Sequence, residues 1–211
     1  MMDFFVRETR AVVKGPMAMV RYGTCGGLTL EASAGSVIVA NAGSAYVCRD
    51  PDAFSACYSG ELGSNCSVSG SGYRFSQVAP ADVELSALLL GELRAYAEGK
   101  PALALSIGEG CNVTADSFYS SQGRIDPSFC DDNSVIIDTL LKKYPSAKTM
   151  EMETFFLLHL ARCCKIPIKA AAAAIVVANR PTGTVMDGDL LDELEREGGE
   201  AVLKAITLVP L

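Results

Sequence analysis

Ile168-Lys169-Ala170-Ala171-Ala172-Ala173-Ala174-Ile175-Val176-Val177-Ala178 decides the fold class of this chain. By propensity the alanine run favours a helix, since alanine loses no side-chain entropy on winding up. The segment is short, however, and Pro167 bounds it on one side. Its Ile175-Val176-Val177 end carries the β-branched residues that suit a pleated surface. We read it as a buried strand that follows one helical pattern and precedes another.

Outward from this strand, helices and strands alternate. Helices are expected at Phe4–Val13, stopped by Gly15-Pro16, and after Asp82, which caps a helix that ends at Gly99. Leu85, Leu88, Leu89, Leu93 and Tyr96 fall on one face of that second helix. Further helices are expected over Asn133–Tyr144, closed by Pro145, over Glu151–Cys164, and over Asp187–Leu208 with a brief interruption at Gly198-Gly199. Strands are expected at Met17–Val20, Ser36–Ala40, Ala102–Ile107 and Ala147–Met150. Residues Asn41 to Pro80 are rich in Gly, Ser and Cys and exceed the roughly 12–15 residues at which structureless loops become uncommon. They read as an insertion serving as a partner surface, a lid or a partly disordered segment. The alternation predicts an α/β fold, a three-layer α/β/α sandwich around a central mixed sheet, in one domain spanning 1–211.

Composition narrows the function classes. Eighteen basic residues stand against 25 acidic ones, a net charge of −7, and no basic stripe with interleaved aromatics offers itself to nucleic acid. No apolar run approaches the roughly 20 residues of a membrane span, and Met1 to Glu8 lacks the regions of a secretory signal, so a cytoplasmic protein is expected. The eight cysteines include no Cys-x-x-Cys pair, and Cys163-Cys164 adjoin within a helical pattern, which predicts reduced thiols. Cys48, Cys57 and Cys66 lack a fourth ligand nearby, and His159 is the one histidine, so no metal is expected. His159 itself, between Leu158 and Leu160, reads as a core or surface histidine and not as a catalyst.

Three short runs carry chemistry. Phe118-Tyr119-Ser120-Ser121-Gln122-Gly123-Arg124 offers an aromatic wall, an amide and a guanidinium, a set that suits a flat heterocycle with alternating carbonyls and N–H groups. Thr149-Met150-Glu151-Met152-Glu153 puts carboxylates beside a methionine at a helix entrance, which suits vicinal hydroxyls. Arg21-Tyr22-Gly23-Thr24-Cys25-Gly26-Gly27 follows the first strand with a cation, a hydroxyl and glycines, and reads as an anion nest. It matches neither a nucleotide P-loop nor a dinucleotide fingerprint. Each run has a plainer reading: Arg21 as a strand-end charge, Glu151 and Glu153 as complements to a helix dipole with Thr149 as cap, Gln122 and Arg124 as solvated loop residues, Phe118 and Tyr119 as core aromatics. Their joint occurrence favours a nucleoside pocket.

Taken in order, Arg21-x-Gly-Thr-x-Gly-Gly, Ala115-Asp116-Ser117-Phe118-Tyr119, Glu151-Met152-Glu153 and Asn179-Arg180 resemble the nucleoside phosphorylase family, specifically its uridine phosphorylases. The resemblance implies a pentosyltransferase of pyrimidine salvage that cleaves uridine, with deoxyuridine or thymidine as further candidates. Inorganic phosphate is the co-substrate and no cofactor is needed. It implies a phosphate contact from Arg21, a contact to phosphate or ribose from the Thr24 hydroxyl, substrate binding at Gly26, and ribose contacts from Glu153, Met152 and Glu151. Phe118, Gln122, Arg124 and Arg180 would hold the base, with Arg124, Glu153 and Gln122 as the catalytic set. Purine-specific relatives place Ser-Asp where this chain has Asn179-Arg180, so a pyrimidine is expected. A homo-oligomer, a dimer or an assembly of dimers, is expected because neighbouring subunits complete each pocket in this family.

One departure stands out. The family resemblance leads one to expect a Gly-Asp-Pro loop and a phosphate-binding arginine on strands ahead of the first helix, whereas this chain starts in that helix, N-terminally truncated relative to the family. A catalytically inactive nucleoside-binding homologue, or a partner subunit of a complete paralogue, is the alternative expectation.

Overall fold

The alanine segment is a strand. The structure, a computed structural model, describes residues 2–59, 71–100 and 105–211, and in it Ile168–Asn179 runs extended with Ala171 to Val176 at 0–5 % exposure. Both faces of this strand are covered, which explains its composition: small side chains let helices approach from either side. Ala171, Ala173 and Ile175 pack with Leu85, Leu89, Leu93, Leu194 and Ala205, while Ile168 and Ala170 pack with Val6, Leu157 and Leu158.

In chain order the strands are β1 (Met17–Gly27), β2 (Val37–Val39), β3 (Ser44–Arg49), β4 (Tyr73–Phe75), β5 (Ile107–Glu109), β6 (Cys111–Ala115), β7 (Ala147–Glu151) and β8 (Ile168–Asn179). The helices are α1 (Met2–Val12), α2 (Val83–Glu98), α3 (Ile136–Lys143), α4 (Thr154–Cys163) and α5 (Gly188–Leu208). Among the described residues the strands form one mixed sheet in the order β4-β3-β6-β7-β1-β8-β2-β5. Helices α2 and α5 cover one face through the Leu85–Leu194 cluster, and α1 and α4 cover the other through the Val6–Leu158 cluster. Helix α3 closes a third cluster with Val47, Val113, Leu140 and Met150. The α/β architecture is therefore the expected one.

Several elements differ from the sequence expectation. Arg21 to Gly27 is no turn but the second half of β1, in register with Ala172 to Asn179 of β8. Its backbone belongs to a ladder, so the anion nest is absent there. The Asn41–Pro80 stretch contributes β3 and β4 to the sheet and a 3-10 segment over Pro51–Ser59, so it is not a loop over its described part. The strand expected over Ala102–Ile107 lies partly outside the described residues; β5 begins at Ile107, and the buried strand Cys111–Ala115 was not foreseen. Both are short: β6 alternates apolar and polar residues as Cys-Asn-Val-Thr-Ala, but five positions are too few for the period to stand out.

The helix expected from Glu151 starts at Thr154, because Glu151 is the last residue of β7. Helix α5 runs through Gly198-Gly199 without a break. Tyr22 accounts for Gly198: its hydroxyl donates to the Leu194 carbonyl at 2.8 Å, and a Cβ on Gly198 would lie 2.2 Å from that oxygen. The cap of α2 is as expected, with Asp82 Oδ1 accepting from Leu85 N–H at 2.9 Å. Cysteines 25, 48, 111, 163 and 164 are free thiols, but Cys57 is disulfide-bonded, which corrects the expectation of reduced thiols at that position.

Candidate active site

A split in the sheet creates the site. Strand β1 pairs with β8 along its whole length, yet it meets β7 at Gly26–Met150 and Gly27–Thr149 alone. Where the two strands diverge, a cavity of about 370 Å³ opens. Three segments line it: Arg21 to Gly26 from β1, Phe118 with Gln122 and Arg124 from the loop after β6, and Met150 to Glu153 from the end of β7. Val177 and Ala178 of β8 close the floor.

At one end sit a guanidinium and two carboxylates. Arg21 Nη2 donates to Glu153 Oε2 at 2.8 Å and to the Thr24 carbonyl at 3.1 Å, and Arg21 Nε stands 3.4 Å from Glu151 Oε2. Its remaining nitrogen, Nη1, is buried with no hydrogen-bond partner among the described residues. A buried, unmatched donor on a cation is an incomplete arrangement that an oxyanion would complete. The two carboxylates differ. The Glu151 side chain is 3 % exposed, and its oxygens accept from Asn112 Nδ2, Thr114 Oγ1 and the N–H groups of Glu153 and Thr154 at 2.6–2.9 Å. It is thus an anchor that caps α4, the task the sequence assigned to Thr149. The Glu153 side chain is 41 % exposed, with Arg21 as its hydrogen-bond partner among the described residues. Burial raises its pKa above the ordinary glutamate range; Arg21 opposes the shift and Glu151 adds to it.

At the other end one amide is held by two cations. Gln122 Oε1 accepts from Arg124 Nη1 at 2.5 Å and from Arg180 Nη2 at 2.8 Å, and Arg180 Nη1 also donates to the Gln122 carbonyl. Both lone pairs of the amide oxygen are engaged, which turns the amide nitrogen away from the arginines as a free donor edge. Neither arginine forms an ion pair among the described residues. Burial and the neighbouring Arg124 push Arg180 down to about 10, and burial lowers Arg124 as well. Arg124 lies 3.7 Å over the Phe118 ring and donates to the Phe118 carbonyl at 2.7 Å. The loop itself is pinned: Asn133 Nδ2 donates to the carbonyls of Ser120 and Arg124 at 3.0 Å, and Gly123 turns with φ +67°.

The cavity therefore gathers Arg21, Thr24, Gly26, Phe118, Gln122, Arg124, Glu151, Met152 and Glu153, while Arg180 stands behind Gln122. Phe118 and Tyr119 are half exposed, at 51 % and 57 %, and are not core aromatics. The glycines of β1 make room for side chains: a Cβ on Gly23 would lie 3.3 Å from the Arg21 guanidinium, and one on Gly26 3.5 Å from Arg180 Nε. Asn179 is structural, its amide bridging the Thr29 and Ala32 carbonyls to Thr182. Cys25 lines the cavity without having been singled out, although it adjoins residues that were; burial raises its thiol pKa. Among the described residues no three His, Cys, Asp or Glu side chains gather as metal ligands, and no helix is long and apolar enough to cross a membrane.

The model of the phosphorylase superfamily matches residues 1–209. The chain belongs to that superfamily. Among solved structures, this superfamily member is similar over its whole length to a uridine phosphorylase of the oomycete Phytophthora capsici, at 42 % identity and TM-score 0.88, and it covers 72 % of that chain. A Trypanosoma brucei nucleoside phosphorylase with uridine phosphorylase activity shares 20 % identity over 91 % of this chain and 64 % of its own, with TM-score 0.66. A Schistosoma mansoni uridine phosphorylase in complex with thymine shares 18 % over 92 % and 61 %, with TM-score 0.59. The last two show the fold alone. No curated protein matches the chain.

Proposed function

We propose that this protein is a uridine phosphorylase: inorganic phosphate attacks C1′ of uridine, and uracil leaves as ribose 1-phosphate forms. One observation carries the reading. A single cavity holds an arginine with an unmatched buried nitrogen, a carboxylate open to hydroxyls, and an amide-guanidinium cluster beside an aromatic ring. The 42 % identity to the Phytophthora capsici enzyme supports the same assignment.

Each group has a task in that reaction. Arg21, with the Thr24 hydroxyl, holds phosphate on one face of the sugar, which removes much of the entropic barrier to attack. Glu153 accepts from the ribose hydroxyls, and its charge favours a sugar that becomes cationic as the base departs. Met152 offers an apolar contact to the pentose. Electrons of the breaking C1′–N1 bond pass to uracil, whose developing negative charge meets Arg124 and the Gln122 amide, with Arg180 behind them. Purines are disfavoured because, among the described residues, the acids lining the cavity are Glu151 and Glu153, and neither of them adjoins Gln122 and Arg124 to protonate a departing purine ring. We further propose a homo-oligomer, since Phe118, Tyr119, Ile125 and Phe129 expose apolar side chains on the segment that carries Gln122 and Arg124.

The test is release of uracil from uridine with and without phosphate. Phosphate-dependent release with ribose 1-phosphate as co-product is expected. Release that ignores phosphate would indicate hydrolysis, and uridine binding without any release would indicate an inactive homologue; either overturns the reading.

A further inference from the structure

Beneath the two carboxylates lies a buried polar network that no reacting atom touches. Residues two apart on a strand share a face, so β6 aims Asn112 and Thr114 the same way, and both donate to Glu151 Oε1 at 2.6 Å. Thr149 Oγ1 donates to Asn112 Oδ1 at 2.9 Å, and Asn112 Nδ2 donates to Ser44 Oγ at 3.0 Å. These bonds fix the amide orientation, because a flipped amide would set its carbonyl oxygen against a carboxylate oxygen. Having donated to Glu151, Thr114 Oγ1 accepts from Phe155 N–H at 2.8 Å in the first turn of α4. Ser44, Asn112, Thr114, Thr149 and Glu151 are all 0–5 % exposed.

Polar groups at this depth destabilise a core unless every one is matched. Their arrangement has a directed output. Glu151 receives Asn112 and Thr114 on one oxygen and presents the other to the N–H of Glu153, the N–H of Thr154 and, at 3.4 Å, Arg21 Nε. The same carboxylate thus touches the backbone that carries Glu153 and the guanidinium that faces the cavity.

We propose that Asn112 and Thr114 are positioning residues, holding the Glu151 carboxylate in one orientation and through it setting Arg21 and Glu153 relative to each other. Because Nε of Arg21 is tied to Glu151, its Nη atoms can exchange Glu153 for phosphate without the side chain drifting. The activity readout rests on the uridine phosphorylase reading above; the binding readout does not.

The test compares Thr114→Val, which keeps the shape and removes the hydroxyl's hydrogen bonds to Glu151, Phe155 N–H, Asn112 and Ser44, with Thr114→Ser, which keeps the hydroxyl. Steady-state kinetics with both substrates, calorimetric binding of inorganic phosphate and thermal unfolding are measured on each. Thr114→Val is expected to lose about 10- to 100-fold in kcat/KM and to bind phosphate more weakly, on the scale seen for outer-sphere partners of functional ligands. Thr114→Ser should stay within about threefold of the parent, a rescue that a purely volumetric role would not predict. A folded Thr114→Val protein with parental kinetics and phosphate affinity overturns the proposal, as does a serine variant that loses as much as the valine one. Should Thr114→Val fail to fold, Asn112→Asp decides, since it preserves shape while setting a second carboxylate against Glu151: parental phosphate affinity there also overturns the proposal. A parent that binds phosphate without releasing uracil sinks the functional reading, while the binding comparison still judges the network.

Discussion

Arg21 Nη2 and Glu153 Oε2 lie 2.8 Å apart across 132 positions of sequence, joining a strand to the entrance of a helix. In the proposed reaction each of the two groups has a ligand to take up, phosphate for Arg21 and the ribose hydroxyls for Glu153, so the pair would be a closed resting state. If phosphate claims the guanidinium, Glu153 is released to the ribose hydroxyls. Phosphate is therefore expected to tighten uridine binding several-fold in a calorimetric or fluorescence titration of Glu153-intact protein, a coupling of about 1 kcal/mol. Equal uridine affinity with and without phosphate would show that the pair does not open in this way.

Replacing Glu153 by alanine removes the hydroxyl acceptor and the negative charge near C1′. Turnover is expected to fall about 100-fold or more, the scale of a lost transition-state contact. The thermal midpoint should stay close to that of the parent, because the side chain is 41 % exposed and partly exposed ion pairs contribute little. A variant with parental turnover removes Glu153 from the mechanism.

The acid side of the pH profile follows from the same residue. Burial raises the Glu153 pKa against the opposing pull of Arg21, with Glu151 adding to the rise. The group therefore takes up its proton at a higher pH than a free glutamate, and once protonated it loses its negative charge and turns one of its two acceptor oxygens into a donor. As pH falls, kcat/KM should decline above the ordinary glutamate range, and Glu153→Gln should flatten that limb. Persistence of the limb in Glu153→Gln would assign it to another group.

Arg124 and Arg180 share one amide oxygen, so their removal should differ in kind. In the proposed reaction the Arg124 charge faces the departing uracil, so Arg124→Ala is expected to lower kcat by roughly 100- to 1000-fold. Arg180→Ala leaves that charge in place but frees Gln122 to rotate, so a rise in KM for uridine should dominate. Initial-rate kinetics on both variants separate the two roles, and the reverse pattern would exchange them.

The adjacent glycines Gly198 and Gly199 of α5 make a stability test that needs no substrate. A methyl on Gly198 would meet the Tyr22 hydroxyl at 2.2 Å, so Gly198→Ala should destabilise by about 1–3 kcal/mol through overpacking. A methyl on Gly199 meets nothing within 4 Å, and Gly199→Ala should stabilise by about 0.5–1 kcal/mol through helix propensity. Urea unfolding of the pair reads both signs, and two changes of the same sign would contradict the packing described.

Local pattern carried a good deal of this. The β-branched end of the alanine segment, the Asp82 cap and Gly99 stop of α2, and the grouping of Phe118 with Gln122 and Arg124 or of Met152 with Glu153 were readable because neighbours in sequence decide propensity, capping and loop chemistry. Arg21 to Gly27 misled for the same reason. A glycine-rich run looks like a turn in isolation, yet a parallel partner on β8 draws it into a ladder. Strands β3 and β6 are only six and five residues long, and their burial comes from the strands on either side, so little in their own sequence marks them.

Sequence by itself determined which residue types were on hand, the α/β class and the helices that flank the sheet, but not that Arg21 to Gly27 runs extended or that Glu151 ends a strand. Tertiary structure alone decided that β1 and β7 part after two paired residues, that Arg21 fills the gap between them, and that Glu151 serves as its anchor while Glu153 remains open. The physical reason is that a strand leaves its hydrogen-bonding edges to be satisfied by remote segments, so which partner arrives, and where it stops, is set by the packing of the whole sheet.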